Sequence, residues 1–181
     1  LRQNKVLIIQ HEINKGLPAA RNTGLAVANG AYIAHCDSDD WIDSTMIADM
    51  MELACQEQAD IIYCDFYLSF VKNERYMKQP AQQDAVACLR AMLNGGMKYN
   101  VWNKLIKKSL YIENAIEFPS GYGMGEDMTI IKLFCHAQKV VYLPKAYYHY
   151  MQTNPNAFTK NMSDLQLVQI NHNATNLLNY L

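Results

Sequence analysis

The chain has 181 residues, half of them apolar and fewer than a fifth charged, with a formal net charge of −1. This length suits one domain with a substantial core, and the composition excludes a disordered chain. The near-neutral charge argues against nucleic-acid binding through a general basic field, so any anionic ligand must be held locally.

Cysteine spacing and hydropathy indicate the cellular compartment in which the protein works. The five cysteines contain no Cys-x-x-Cys pair, which argues against a disulfide framework or a structural zinc site and favours a reducing compartment. No apolar run reaches membrane-spanning length, and no signal peptide is visible. We therefore expect a cytoplasmic location without a transmembrane segment, compatible with peripheral association at the inner face of the membrane.

The first predicted elements alternate between strand and helix. Val6–Ile9 is a β-rich apolar run and predicts a buried strand. Pro18 stands where a first helical residue would, and Gly30 where the residue after a helix would. Residues 32–36 predict the next strand. Such a βαβ unit gathers its ligands at the carboxyl ends of the strands.

The rest of the chain continues this pattern. Further helices are predicted over residues 44–56, 81–93, 107–114, 126–137 and 163–181. Further strands are predicted over residues 60–70, 71–78, 140–143 and 146–151, and residues 101–106 stay ambiguous. We predict a single α/β domain over residues 1–181. The last helix ends inside an unfinished apolar pattern, so we expect it to lead into further sequence.

Three carboxylates, Asp37, Asp39 and Asp40, fall within four positions directly after a predicted strand. Carboxylates this close repel one another unless water, backbone N–H groups or a cation neutralises them. A hard divalent ion takes one or two carboxylates and completes its shell with water and substrate phosphates. A solvated turn before a capped helix explains the same residues. A calcium loop of the EF-hand type is excluded because Ile42 and Ala48 stand where Gly and Glu are required.

The segment from Asn14 to Gly24 combines a turn, a helix start and two cations. Gly16 lets the backbone approach a ligand, and Lys15 and Arg21 could meet phosphate or base edges beside a helix N-terminus. A capped, glycine-punctuated helix explains the segment equally well.

Glu126 and Asp127 begin a predicted helix after a glycine-rich loop at residues 121–125. Acidic residues there often do no more than favour the helix dipole, which also lowers a carboxylate pKa. Asp127 can serve as a general base only if desolvation and nearby negative charge oppose that effect. Closure of the loop over a substrate would supply the desolvation.

Two further side chains leave alternatives open. Trp102 indicates either core packing or the wall of a cleft. His149 is either a metal ligand or a hydrogen-bonded histidine on a strand.

Taken together, these segments resemble glycosyltransferase family 2, the inverting nucleotide-sugar transferases of GT-A fold. The matching stretches are NKGLPAARNTGLAVANGAYIAHCDSDDW from Asn14, VWNKLIKKSLY from Val101 and GEDM from Gly125, in the family's order and spacing. The resemblance implies a GT-A-like, Rossmann-like mixed sheet flanked by helices. It also implies inverting transfer of a sugar from a nucleotide-diphosphate sugar to a saccharide or lipid-linked acceptor.

The resemblance also implies roles for individual residues. Asp37 and Asp39 bind Mg²⁺ or Mn²⁺ with the donor's diphosphate and ribose, and Arg21 lies near the nucleotide. Asp127 deprotonates the acceptor hydroxyl. We expect the donor site to include Lys15 and Gly16 as well, and the acceptor cleft to include Trp102, Tyr122 and Glu126.

The chain departs from the family pattern in two places. Members begin with a strand–helix–strand segment whose DDGS-like turn holds the base, and nothing before Leu1 supplies it. We therefore expect a chain that lacks the family's N-terminal nucleotide-binding segment. After the last strand, Met151 and Asn156–Thr159 replace the Arg and Ser-Ile-Thr-like stretch of relatives, which puts phosphate contacts from that region in doubt.

Three alternatives remain open. A two-carboxylate glycoside hydrolase would act without metal or nucleotide. A metal-dependent phosphohydrolase would release phosphate without an acceptor. A non-catalytic fragment or binding module would bind donor nucleotide poorly even with Mn²⁺.

Overall fold

A computed structural model describes residues 6–82, 84–154 and 163–181. Its helices are α1 (Leu17–Val27), α2 (Met46–Glu57), α3 (Ala85–Leu93), α4 (Lys108–Glu113), α5 (Thr129–His136) and α6 (Asp164–Tyr180). Its strands are β1 (Tyr32–Ala34), β2 (Trp41–Ile42), β3 (Ile61–Ser69), β4 (Glu74–Met77), β5 (Lys104–Lys107) and β6 (Val140–Met151). Glu126–Met128 forms a 3₁₀ turn directly before α5.

The strands form one sheet in the order β1-β5-β3-β6-β2, with β4 paired to the second half of β3. β3 and β6 run parallel, whereas the other pairs are antiparallel. β3 lies at the centre because its β-branched and aromatic residues suit a strand that is covered on both faces. The prediction of a mixed sheet flanked by helices is confirmed.

Alternate residues of β3 enter two apolar clusters on opposite faces of the sheet. Ile61 and Tyr63 pack in the larger cluster with side chains from α1, α3, α4, α5 and α6. Ile62 and Cys64 pack in the smaller cluster, which α2 covers. In the described ranges, no helix is both long and apolar enough to cross a membrane.

The predicted strand at Val6–Ile9 is wrong. These residues have no strand assignment, and Val6 and Ile8 are 82% and 85% exposed. A strand needs a neighbour that completes its backbone hydrogen bonds, and no described strand pairs with this run. The predicted βαβ unit is therefore also wrong, since β1 pairs antiparallel with β5.

Smaller differences occur further along the chain. The ambiguous residues 101–106 end in β5, and the two strands predicted from residue 140 are one strand, β6. β6 continues through Pro144 because two of its residues bulge out of register between the pairs Cys64–Leu143 and Asp65–Ala146. The helix predicted over residues 163–181 is confirmed as α6, which buries Gln166, Asn173 and Leu177 rather than a purely apolar stripe.

Candidate active site

A cavity of about 1440 Å³ lies beside the carboxyl end of β1. Its wall comes from α1, the turn after β1, the loop before α5, the end of β6 and α6, together with Tyr99, Asn100 and Trp102. The cavity brings together eight predicted site residues: Lys15, Gly16, Arg21, Asp37, Asp39, Trp102, Glu126 and Asp127. Tyr122 and His149 do not line it.

The start of α1 places Lys15 and Gly16 at the cavity. Gly16 precedes the helix with a φ of 80°, a positive value that glycine adopts at little cost. Its N–H donates to Oδ1 of Asn14 over 2.9 Å, which fixes the turn. Pro18 follows in the first helical turn, where its missing N–H costs nothing.

The acidic turn after β1 is fastened to β6. The Asp40 carboxylate accepts the Tyr148 hydroxyl over 2.6 Å and the Met151 N–H over 2.8 Å. The Asp37 N–H donates to the same Tyr148 oxygen over 3.0 Å. Asp37 and Asp39 line the cavity, and Oδ2 of Asp39 accepts a 2.8 Å hydrogen bond from Asn154. Asp40 therefore fixes the turn to β6, while Asp37 and Asp39 face the cavity.

Arg21 connects the acidic turn to the loop before α5. Its Nη2 lies 3.1 Å from Oδ1 of Asp37, and its Nη1 lies 3.1 Å from Glu126 and 2.6 Å from Asp127. The arginine is only 7% exposed. Burial by itself lowers the pKa of Arg21, but the charges of Asp127, Asp37 and Glu126 outweigh it, and the net shift is upward. The guanidinium is therefore charged in the folded protein.

Glu126 and Asp127 are adjacent carboxylates that both contact Nη1 of Arg21. Burial, followed by the charge of Asp127, raises the pKa of Glu126 to about 7. Burial also raises the pKa of Asp127, against the lowering effect of Arg21. The pair precedes α5 in a 3₁₀ turn rather than in an α-helical first turn. Desolvation thus shifts the pKa of Asp127 in the direction that a base at neutral pH requires, and the charge of Arg21 opposes that shift without reversing it.

Trp102 is both a core residue and part of the cavity wall. It is buried and stacks on Tyr148, with ring centroids 4.3 Å apart and planes 15° apart. Phe66 meets it edge-on at 4.8 Å. Both interpretations of this residue therefore apply, and through Tyr148 the tryptophan supports the acidic turn.

Lys104 fixes the segment that contains Trp102, and sequence reasoning gave it no role. It is 0% exposed, and its ammonium donates to Lys98 O, Asn100 O and Asn103 Oδ1 at 3.1, 2.6 and 2.9 Å. Burial lowers the pKa of Lys104 to about 7, although the charge of Asp127 raises it. The three acceptors match the three N–H groups of the ammonium.

The structure places His149 and Tyr122 elsewhere. His149 has Nδ1 2.6 Å from a Glu74 carboxylate oxygen and stacks on Trp41 with centroids 3.3 Å apart. Tyr122 stacks on His172 at 3.7 Å. Across the described part of the chain, no three His, Cys, Asp or Glu side chains are grouped so that they could hold a metal.

Several site residues gave no recognisable signal in the sequence. Tyr148 supports the acidic turn across 111 positions, and α6 contributes Gln169 and Ile170 to the cavity. Tyr148 belongs to an ordinary aromatic strand pattern, and the α6 residues belong to an ordinary amphipathic helix. Only the three-dimensional contacts single them out.

The comparisons with known proteins agree on one family. A model of Glycosyl transferase family 2 matches residues 2–130. The uncharacterized glycosyltransferase EpsJ of Bacillus subtilis is 31% identical over 169 residues, which cover 88% of this chain and 48% of that protein. Glycosyltransferase GlyG of Streptococcus pneumoniae is 26% identical over 162 residues, which cover 83% and 53%.

The solved structures include Staphylococcus aureus TarS 1-349 in complex with UDP-GlcNAc. It superposes with a TM-score of 0.74 at 19% identity, covering 94% of this chain and 50% of that one. This likeness confirms the predicted GT-A-like fold. The chain spans about half the length of each of these three proteins.

Proposed function

The chain belongs to glycosyl transferase family 2, and from this premise we propose that it takes part in metal-dependent, inverting sugar transfer. The donor is a nucleotide-diphosphate sugar, and the acceptor is a hydroxyl of a saccharide or a lipid-linked saccharide. One observation carries the proposal: a single cavity contains the acidic turn and a partly buried carboxylate, Asp127, and the buried Arg21 joins them.

The residues at the acidic turn fit a metal-bound diphosphate. Asp37 and Asp39 offer hard oxygen ligands at the cavity, as Mg²⁺ and Mn²⁺ prefer. Two carboxylates leave room for diphosphate oxygens and water in the coordination shell. When bound, such an ion supplies positive charge that stabilises the departing diphosphate. Lys15 and the N–H groups at the start of α1 favour the same anion.

On the acceptor side, Asp127 serves as the general base. Its carboxylate takes the proton of the acceptor hydroxyl as that oxygen bonds to the anomeric carbon of the donor. The bond from that carbon to the diphosphate oxygen breaks, and the electron pair leaves with the nucleoside diphosphate. Attack opposite the leaving group inverts the configuration. Trp102 and Glu126, which line the cavity, remain the proposed residues of the acceptor side, whereas Tyr122 does not line it.

The donor class and the compartment have independent support. S. aureus TarS has been solved with UDP-GlcNAc and with UDP, which supports a nucleotide-sugar donor here. All five cysteines are unpaired, which supports a reducing, cytoplasmic location. Acceptors that are lipid-linked would bring the protein to the inner face of the membrane.

The test is Asp127→Asn in the full-length protein, assayed with a panel of nucleotide sugars and Mn²⁺. We expect transfer to fall by at least about 1,000-fold, since the substitution removes the base while keeping the side-chain volume. Metal-dependent donor binding, measured by calorimetry, should persist. Asp49→Asn makes the same chemical change on α2, outside the cavity lining, and should leave transfer intact. Full activity of Asp127→Asn would refute the base.

The same assay separates the alternatives. Hydrolysis of a glycoside without metal or nucleotide would indicate a glycoside hydrolase. Phosphate release without an acceptor would indicate a phosphohydrolase. Absence of Mn²⁺-dependent donor binding would indicate a non-catalytic binding module.

A further inference from the structure

Helix α6 holds the loop that leads into Glu126 and Asp127 through two amide side chains. Nδ2 of Asn173 donates to the backbone oxygens of Tyr122 and Met124, at 3.0 and 2.8 Å. Oε1 of Gln169 accepts the backbone N–H of Met124 over 3.1 Å. Three hydrogen bonds thus fix the backbone of this loop from one side.

The packing between α6 and the loop is close. A Cβ on Gly125 would lie 3.7 Å from Cα of Ile170 and 3.8 Å from Cβ of Asn173, and the φ of Gly125 is +80°. The Tyr122 ring stacks on His172 with planes 12° apart. Gly125 immediately precedes Glu126, so a displacement of the loop would pass directly to the two carboxylates.

The hydrogen-bond partners of Asn173 and Gln169 determine whether each side-chain amide must present its NH₂ group or its oxygen to the loop. Both partners of Asn173 are carbonyl oxygens, so the side chain must present its NH₂ group; the partner of Gln169 is an N–H, so that side chain must present its oxygen. Asn173 is 5% exposed, and its own Oδ1 has no partner within the described part of the chain. An unpaired buried oxygen is costly, and two donated bonds at the loop offset that cost.

We propose that Asn173 and Gln169 are positioning residues that hold Asp127 in its catalytic geometry. The proposal rests on the proposed function for the role of Asp127. It concerns a part of the chain outside residues 2–130, which the family model matches. Gln169 and Ile170 line the cavity together with Asp127, so α6 acts on the site from within the same wall.

The experiment makes the same chemical change, amide to carboxylate, at both positions of the full-length protein. Asn173→Asp replaces a donor by an acceptor that faces two carbonyl oxygens, whereas Gln169→Glu keeps the acceptor oxygen. We expect kcat, each at its own pH optimum, to fall about 100-fold for Asn173→Asp and by less than about threefold for Gln169→Glu. The donor Kd should not change in Asn173→Asp, because Asn173 does not line the cavity.

Gln169→Met keeps the length of the side chain and removes the acceptor oxygen. We expect it to lower kcat about tenfold. Gln169 is half-buried, so this variant tests the proposal even if Asn173→Asp does not fold. A purely structural role would lower Tm and leave kcat of the folded enzyme unchanged. Wild-type kcat in Gln169→Met, and in Asn173→Asp where that variant folds, would overturn the proposal.

Hydrogen–deuterium exchange separates this proposal from the proposed function. The amide of Met124 should be protected in the wild type and in Gln169→Glu, and should exchange at least about tenfold faster in Gln169→Met because its acceptor is gone. If the wild-type protein transfers no sugar, the proposed function fails, and the exchange rates alone decide whether α6 holds the loop. Equal exchange in all variants would refute it.

Discussion

Nη1 of Arg21 lies 2.6 Å from Oδ1 of Asp127, although the two residues are 106 positions apart. The same guanidinium reaches Asp37 at 3.1 Å. The planar guanidinium of arginine has two terminal nitrogens that can bind carboxylates in fixed directions, whereas the ammonium of lysine is a single point charge. The proposed base and the proposed donor site are therefore joined by one buried side chain.

Substitution of Arg21 should affect stability and pH dependence together. Arg21→Met leaves three carboxylates without their buried cation, so we expect the free energy of unfolding to fall by about 3 kcal/mol. The acidic limb of the pH–rate profile should move to higher pH, because loss of the cation raises the pKa of Asp127.

Arg21→Lys is the matched control, since it keeps the positive charge and loses the two terminal nitrogens of the guanidinium. We expect a smaller loss of stability and a smaller movement of the acidic limb, measured by urea unfolding and steady-state rates. An unchanged acidic limb in Arg21→Met would show that Arg21 does not influence the base.

Asp39→Ala should weaken donor binding only when the metal is present. Asp39 is exposed at the cavity, so its loss should cost little stability, and the proposed metal would lose one of two protein ligands. We expect the donor Kd in Mn²⁺ to rise at least about tenfold. Calorimetry in a chelator provides the control, because wild type and variant should then bind alike. Equal affinities in Mn²⁺ would exclude Asp39 as a ligand.

Glu126 should make the folded state less stable as the pH rises. Its pKa is 4.5 as a free side chain and about 7 in the folded protein, so the folded state binds more protons between these values. Its contribution to stability is complete below pH 4.5 and is lost as the pH rises to about 7. Glu126→Gln should remove this slope and be more stable than wild type at pH 8, by on the order of 3 kcal/mol. Urea unfolding from pH 4 to 8 measures the free energy of unfolding of both proteins. If it depends on pH in the same way in both, the raised pKa of Glu126 is contradicted.

Two lysines of β5 offer a matched comparison. Lys104→Met leaves one buried acceptor, Asn103 Oδ1, and two part-buried backbone acceptors without their ammonium, and we expect a loss of about 2 kcal/mol in the free energy of unfolding. Lys107 has a side chain that is 44% exposed and pairs with Asp60 at 3.1 Å, so Lys107→Met should cost less than about 1 kcal/mol. Chemical unfolding at pH 6 measures both, and similar losses would show that the buried network contributes little.

Short motifs made part of the site predictable from the sequence. Arg21, Asp37 and Asp127 each belong to a compact pattern whose chemistry is evident from neighbouring residues, and the structure brings all three into one cavity. Asn173 belongs to an ordinary amphipathic helix. Its importance arises from hydrogen bonds to a loop about fifty positions away, which no local pattern encodes.

The errors in the predicted fold have physical causes. Val6–Ile9 has the composition of a buried strand, but composition reports a preference for burial and not the presence of a pairing partner. Pro144 separated two predicted strands because proline lacks an N–H, yet a local bulge lets β6 pass through that point. Tertiary pairing therefore decided both cases against the local pattern.

The brace between Asp40 and β6 has a consequence for mutational mapping of the acidic turn. Both carboxylate oxygens of Asp40 are already occupied, one by the Tyr148 hydroxyl and one by the Met151 N–H. Asp40→Ala would break this brace and displace the acidic turn. Its loss of activity would therefore resemble that of a variant that lacks a metal ligand. Tyr148→Phe removes one of the two bonds of the brace and leaves every carboxylate in place, so it distinguishes a role of Asp40 in holding the turn from a role in metal coordination.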